Sequence, residues 1–183
     1  LKDASGALVG IPNEMDPCGF FYRRDLAKKY FGTDDPDIIG NEIGVGESTW
    51  DKFIEAGKKL KEASGGKAFI VAGIGDIYNV MSRQPNGAWH DGKRLLIKEN
   101  LLPQFKVLEQ IRKAGIDAKI QFTSPQWNAA FGTGTVMMFP GAPWFVGYEI
   151  ATNDANAEGN WALTGNPVAN WAWGGGGFSI PKQ

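Results

Sequence analysis

Ser48-Thr-Trp-Asp-Lys-Phe-Ile-Glu-Ala-Gly-Lys-Lys-Leu-Lys-Glu-Ala-Ser-Gly-Gly-Lys-Ala-Phe-Ile-Val-Ala72 changes its periodicity part-way. Trp50, Phe53, Ile54, Gly57, Leu60 and Ala63 fall on one helical face. Lys58, Lys59 and Lys61, interleaved with Glu55 and Glu62, form the solvated side. Ser48–Asp51 has the shape of a capping box with Asp in place of Glu. Ser64-Gly65-Gly66 stops the helix, and Ala68–Ala72 then reads as a short buried strand. A helix delivered to a strand by two glycines is the unit of an α/β fold.

The same alternation extends outward in both directions. Upstream, Ala7–Pro12 reads as a strand and Phe20-Phe-Tyr22 as a second apolar run. Asp25 is placed to cap a helix over Leu26–Phe31 that Gly32 ends, and Thr33–Glu47 reads as a polar loop. Downstream, Asp76 is placed to cap a short helix carrying Ile77, Val80 and Met81. A long helix starts at Asn100, with Pro103 in its first turn and Leu101, Phe105, Leu108 and Ile111 on its apolar face, and ends at Gly115. Ser124-Pro125 opens another helix that Gly132 closes. Thr135–Phe139 is a strand, Pro143 starts a helix running to Ile150, and Trp161–Leu163 and Phe178–Ile180 are late strands. No internal boundary divides residues 1–183, so a single lobe is expected.

Composition excludes several functions. Hydrophobic residues make up 43% and charged residues 21%, as in ordinary globular chains, and the net charge of −1 offers no basic face for nucleic acid. One cysteine (Cys18) and one histidine (His90) leave neither an internal disulfide nor a set of ligands for a metal. The run Gly87–Lys93 has phosphate-loop spacing but is followed by Arg94 where a hydroxyl should hold magnesium. No Gly-x-Ser-x-Gly elbow is present. No apolar run approaches the ~20 residues that span a bilayer. The first residue is Leu rather than Met, so the chain is expected to be a fragment of a longer protein.

The distinctive chemistry lies near the end. Four of the seven tryptophans (Trp144, Trp161, Trp171, Trp173) fall in the last stretch, and Trp171-Ala-Trp173 runs into Gly174–Gly177. Consecutive glycines pack nothing, and their use is to let a ligand approach the backbone closely. Trp beside them offers a flat apolar face and one donor, a combination that suits a sugar ring. Trp144, within Pro140-Gly-Ala-Pro-Trp144, is placed at the first turn of a helix whose free N–H groups face a cleft. Trp50, Trp127 and Trp161 read as core. Among carboxylates, Asp16 sits in a loop without a structural duty, whereas Asp76 is either an N-cap or a ligand contact. Paired in an aromatic cleft, the two would also suit a glycosidase.

Taken in order, these segments resemble the extracellular solute-binding proteins of sugar ABC transporters. Gly10-Ile-Pro with Phe20-Phe-Tyr-Arg-Arg-Asp-Leu26, the Ser48–Leu60 helix, Phe131–Phe139 with Trp144, and Trp161 through Gly174–Pro181 follow that family's pattern across nearly the whole chain. The resemblance implies a type II periplasmic-binding-protein-like lobe, a mixed sheet flanked by helices. This would be the carboxy-terminal lobe of a two-lobed protein, with the amino-terminal lobe absent. It implies a mono- or oligosaccharide ligand, an ABC-importer membrane permease as partner, no cofactor, no catalysis, and a location in the periplasm or at the outer face of the membrane, secreted or lipid-anchored. The residues carried over are Asp16, Asp76, Tyr78, Trp144, Gly174 and Gly175. Trp173 is added from its own context. Ile77 stands where the family has proline between the acidic residue and Tyr78, and the Thr33–Ser48 segment is longer than the family's linker.

Overall fold

The computed structural model describes residues 2–179. Its main sheet has the order β3-β4-β2-β5, built from β2 (Gly19–Arg23), β3 (Phe69–Val71), β4 (Val136–Gly141) and β5 (Trp161–Thr164). β3 and β4 are parallel, and β2 is antiparallel to both β4 and β5. The sheet is therefore mixed, as expected. Residues 116–120 extend it beyond β3, with Ile70 donating to the Ile116 carbonyl and Ala118 and Ile120 donating to those of Val71 and Ala72.

Both faces of the sheet are covered, which explains why its central strands are continuous apolar runs rather than alternating ones. All residues of β2 and β4 are buried. Along β2, Phe20 and Tyr22 join one core and Phe21 the other. The first core lies under α1 (Arg24–Phe31), α2 (Pro36–Ile43), α3 (Asp51–Ala63), α4 (Ile74–Met81) and α5 (Leu102–Ala114). The second lies under α6 (Pro125–Thr133) and the helix that begins near Phe145. That helix has π-helical turns over Val146–Ile150 and ends in α7 (Ala151–Asn153). None of the described helices is long and apolar enough to cross a membrane.

Several local expectations change. Residues 33–47 contain α2 rather than a loop: the Asp35 side chain caps it, Pro36 starts it, and Ile39 and Ile43 are buried. Asp35-Pro36 is a helix start, and the surrounding Asp and Gly residues mask it. Asp25 is not a cap but lies in the first turn of α1, paired with Arg23 at 2.7 Å. Trp50, not Ser48, precedes α3 and makes no side-chain cap; Ala63 is exposed. Helical turns before α5 begin at Ile97, upstream of Asn100, and Phe105 on α5 is exposed. Gly134, in the left-handed region, ends α6, not Gly132. The expected strand over 7–12 shortens to β1 (Ile11–Pro12), and the last to β6 (Gly177–Phe178); Ile180 lies outside the described residues.

α3 lies against β3 and residues 116–120 at Gly57. A Cβ there would sit 2.6 Å from Ile116 Cδ1 and 2.9 Å from its Cβ. Gly57→Ala should therefore destabilise the lobe by about 1–3 kcal/mol in urea unfolding, overriding Ala's better helix propensity. An unchanged or raised midpoint would show that this contact relaxes freely.

Candidate functional site: one wall of a cleft

β1 and β6 form a separate two-stranded ribbon, with Ile11 opposite Phe178 and Pro12 opposite Gly177. The pairing continues inward. Asn13 donates to the Gly176 carbonyl, Trp173 to the Asp16 carbonyl and Cys18 to the Trp171 carbonyl. Residues 11–18 and 171–178 thus lie side by side although about 160 residues of chain separate them. Where the ribbon opens, the Asp16 carboxylate takes the Gly175 N–H at 2.8 Å. Gly174 and Gly175 have φ of +107° and +100°, and a Cβ on Gly174 would lie 2.4 Å from Asp16 Oδ2 and 3.3 Å from Trp144 Nε1. The glycine run therefore makes room for Asp16 and for the opposite strand. The Gly175 N–H is already engaged inside the lobe. Asp16 remains partly exposed.

β4 delivers Trp144. Gly141 closes the strand, and a Cβ on it would fall 2.5 Å from the Phe145 ring, so only glycine lets the chain turn there. Trp144 and Trp173 meet edge-on with centroids 5.0 Å apart, and Trp144 Nε1 donates to the Trp173 carbonyl at 3.2 Å. Both rings are half-buried, not conspicuously exposed as a cleft wall stripped of its cover would be. Trp173 is hemmed by Phe122, Phe145 and Trp171, with centroids 5.6–6.3 Å away. Trp171 is buried, its indole N–H held by Asn166 Oδ1 at 2.8 Å. Of the three expected core rings, Trp50 and Trp127 are buried and Trp161 is half-buried, donating to Asp154.

Asp76 does not belong to this face. It is fully buried in the first turn of α4, where one carboxylate oxygen accepts from the Gly73 N–H at 2.9 Å and the other from Trp127 Nε1 at 2.7 Å. It acts from inside the helix, reaching back to Gly73, rather than as the N-cap. Burial pushes its carboxyl up to about 7, against the lowering effect of both hydrogen bonds, and the neighbouring Asp117 charge adds to the rise. Tyr78, also on α4, is exposed and packs against Phe105 with centroids 6.0 Å apart.

Arg83, just beyond α4, lies against Trp173, and the sequence did not mark it. Its guanidinium lies 5.6 Å from the Trp173 ring and its Nη1 bonds the carbonyl and side chain of Asn79. The only possible sign was a cation following a helix end, which is commonplace. Cys18 is buried beside Asp16, and burial pushes its thiol up to about 11. Among the described residues no group of three or more His, Cys, Asp or Glu side chains could hold a metal ion. Two surface grooves lie elsewhere: one of about 730 Å³ includes Trp50, Gln84 and Gln104, and another of about 620 Å³ includes Phe21, Trp161 and Leu163.

Residues 2–183 match the family model described as bacterial extracellular solute-binding protein. The chain belongs to that family of binding proteins, whose members work outside the cytoplasm. A lactose-binding protein of Rhizobium radiobacter is 26% identical over 180 residues, covering 93% of this chain and 39% of that protein. A crystal structure of an extracellular solute-binding protein of family 1 superposes with a TM-score of 0.84 at 22% identity, covering 98% of this chain and 46% of that one. An ABC-transporter-associated binding protein from B. animalis subsp. lactis, in complex with β-1,6-galactobiose, gives 0.69 at 25% identity and covers 97% of this chain and 44% of that one. The chain thus spans less than half the length of these relatives.

Two outcomes follow for the lobe. Because the fold raises the Asp76 carboxyl above its usual 3.8, the folded chain keeps a proton that the unfolded chain releases. This group's contribution to stability is largest below about pH 4, falls as pH rises towards 7 and is flat above that. Wild type should exceed Asp76→Asn in urea stability at pH 5 by more than at pH 8; a pH-independent gap would contradict the assignment. Gly174→Ala should displace the Asp16 carboxylate, visible as loss of protection of the Gly175 amide in hydrogen exchange. Unchanged protection would show that the ribbon absorbs the methyl.

Proposed function

We propose that this chain is the carboxy-terminal lobe of a two-lobed receptor that holds a mono- or oligosaccharide between its lobes. The receptor would pass the sugar to the membrane permease of an ABC importer without catalysis. The observation that carries this reading is the grouping of Trp144, Trp173 and Asp16 on one partly exposed face, beside the paired strands 11–18 and 171–178. Aromatic faces suit the C–H surface of a sugar, and a fixed carboxylate accepts from its hydroxyls. The relatives named for lactose and galactobiose support a sugar as cargo. Their greater length supports a second lobe, to which the paired strands would offer two adjacent crossings. The family's location supports a site in the periplasm or on the outer face of the membrane, secreted or lipid-anchored.

Trp144 is the platform in this reading. Trp173 backs it, holds its indole N–H and presents its remaining edge, while Asp16 supplies the acceptor. Gly174 and Gly175 hold Asp16 in place, and Tyr78 would border the site. Asp76 drops out, because it is buried and doubly hydrogen-bonded.

A half-site binds weakly. Each aromatic face adds on the order of 1 kcal/mol beyond area burial, and millimolar affinity already needs about 4 kcal/mol. Calorimetry on the isolated chain should find no saccharide affinity tighter than about millimolar. In the complete two-lobed protein, tryptophan fluorescence should respond to a saccharide, and Trp144→Ala should weaken that response about tenfold. Micromolar binding by the isolated chain would overturn the half-site. Silence to a saccharide panel with a response to a polyamine would overturn the sugar.

A further inference from the structure

The wall carries a cation that the sugar-receptor reading leaves unused. Arg83 is solvent-exposed, and among the described residues no carboxylate lies within ion-pairing distance of it. Its position is nevertheless fixed. The guanidinium sits 5.6 Å from the Trp173 ring centre, and Nη1 donates to the Asn79 carbonyl at 3.0 Å and to the Asn79 side-chain oxygen. Asn79 is buried, and its Nδ2 has no hydrogen-bond partner. A cation at a helix end accounts for the Nη1 contacts. It does not account for the seat on Trp173, the buried amide that holds it, or the edge formed by Nε and Nη2, which makes no hydrogen bond among the described residues.

That edge is the one a guanidinium uses to grip a carboxylate with two parallel hydrogen bonds. An arginine clamped on one nitrogen and laid on an aromatic ring loses little freedom on binding. The surroundings supply the complementary chemistry. Asp16, whose main-chain carbonyl accepts from the Trp173 N–H, is an acceptor for hydroxyl donors and would repel a second carboxylate placed on it. An acceptor on the residue whose carbonyl holds the Trp173 N–H, and a fixed cation beside the Trp173 ring, match a ring that carries hydroxyls at one edge and an acid group at another.

We infer that the saccharide taken by this wall carries a carboxylate, as a uronic acid does, and that Arg83 binds it through Nε and Nη2. The inference rests on the sugar-receptor reading and narrows it. An acidic sugar would supply the counter-charge that Arg83 lacks here and hold its hydroxyls towards Asp16, while a neutral sugar would leave the cation unpaired when the cleft closes.

The test is an NMR titration of the ¹⁵N-labelled chain, following the Trp144 indole N–H and the Arg83 Nε–H. The probes are the pairs galactose and galacturonate, and glucose and glucuronate, with acetate as the acid alone. One uronate should shift both signals and bind at least about tenfold more tightly than its neutral partner. Arg83→Gln should abolish that preference, so that the uronate binds no more tightly than its neutral partner. Equal binding of each neutral and acidic pair, with Trp144 responding, would overturn the inference and leave the sugar-receptor reading standing. Acetate shifting both signals as far as a uronate does would also overturn it. If no sugar moves Trp144 even at molar concentration, the receptor reading fails and takes the inference with it.

Discussion

The structure depends on the pairing of residues 11–18 with residues 171–178. Backbone bonds along this ribbon and the Asp16–Gly175 contact join the two ends of the lobe. Asp16 contributes twice: its carbonyl accepts from Trp173 and its carboxylate from Gly175. The same two contacts that close the ribbon therefore fix the acceptor and the aromatic ring relative to each other. Trp144 is locked in turn by donating to the Trp173 carbonyl. Remove the ribbon and Asp16, Trp144 and Trp173 would sit on unrelated loops.

Precision at this wall comes from a rigid support. β2 and β4 are buried on both faces and carry the chain to Cys18 on one side and Gly141 on the other. Close approaches that only glycine allows, at Gly141 and Gly174, set the rings and the carboxylate without intervening side chains. Binding groups placed on such a base lose little freedom when a ligand arrives. The lobe itself need not move; in a two-lobed receptor the closing motion belongs to the hinge.

The α/β class and the helix–strand unit at 48–72 were legible because their signals are periodic and local, while the mixed sheet came only with the family resemblance. The α2 helix was not, since its start at Asp35-Pro36 is hidden among polar residues and its buried face amounts to Ile39 and Ile43. Asp16, Trp144 and Trp173 were legible as chemistry in unusual surroundings. Asp76 misled because a carboxylate at a helix start looks the same in sequence whether it faces solvent or reaches inward to Trp127; only burial separates the two. The glycines were read as room for a ligand at the backbone, yet the group that approaches them is Asp16 of the same lobe. Arg83 could not be read at all, because its role arises from a ring ninety residues away.

The central claim is that the wall formed by Asp16, Trp144 and Trp173 is where saccharide binds. The most direct measurement is a crystal structure of this chain grown in a saccharide at hundreds of millimolar. The account predicts a sugar ring against the face of Trp144 with a hydroxyl on the Asp16 carboxylate. A sugar seated instead in the groove by Trp50 and Gln104 or the one by Trp161 and Leu163, with the Trp144 wall bare, would contradict it.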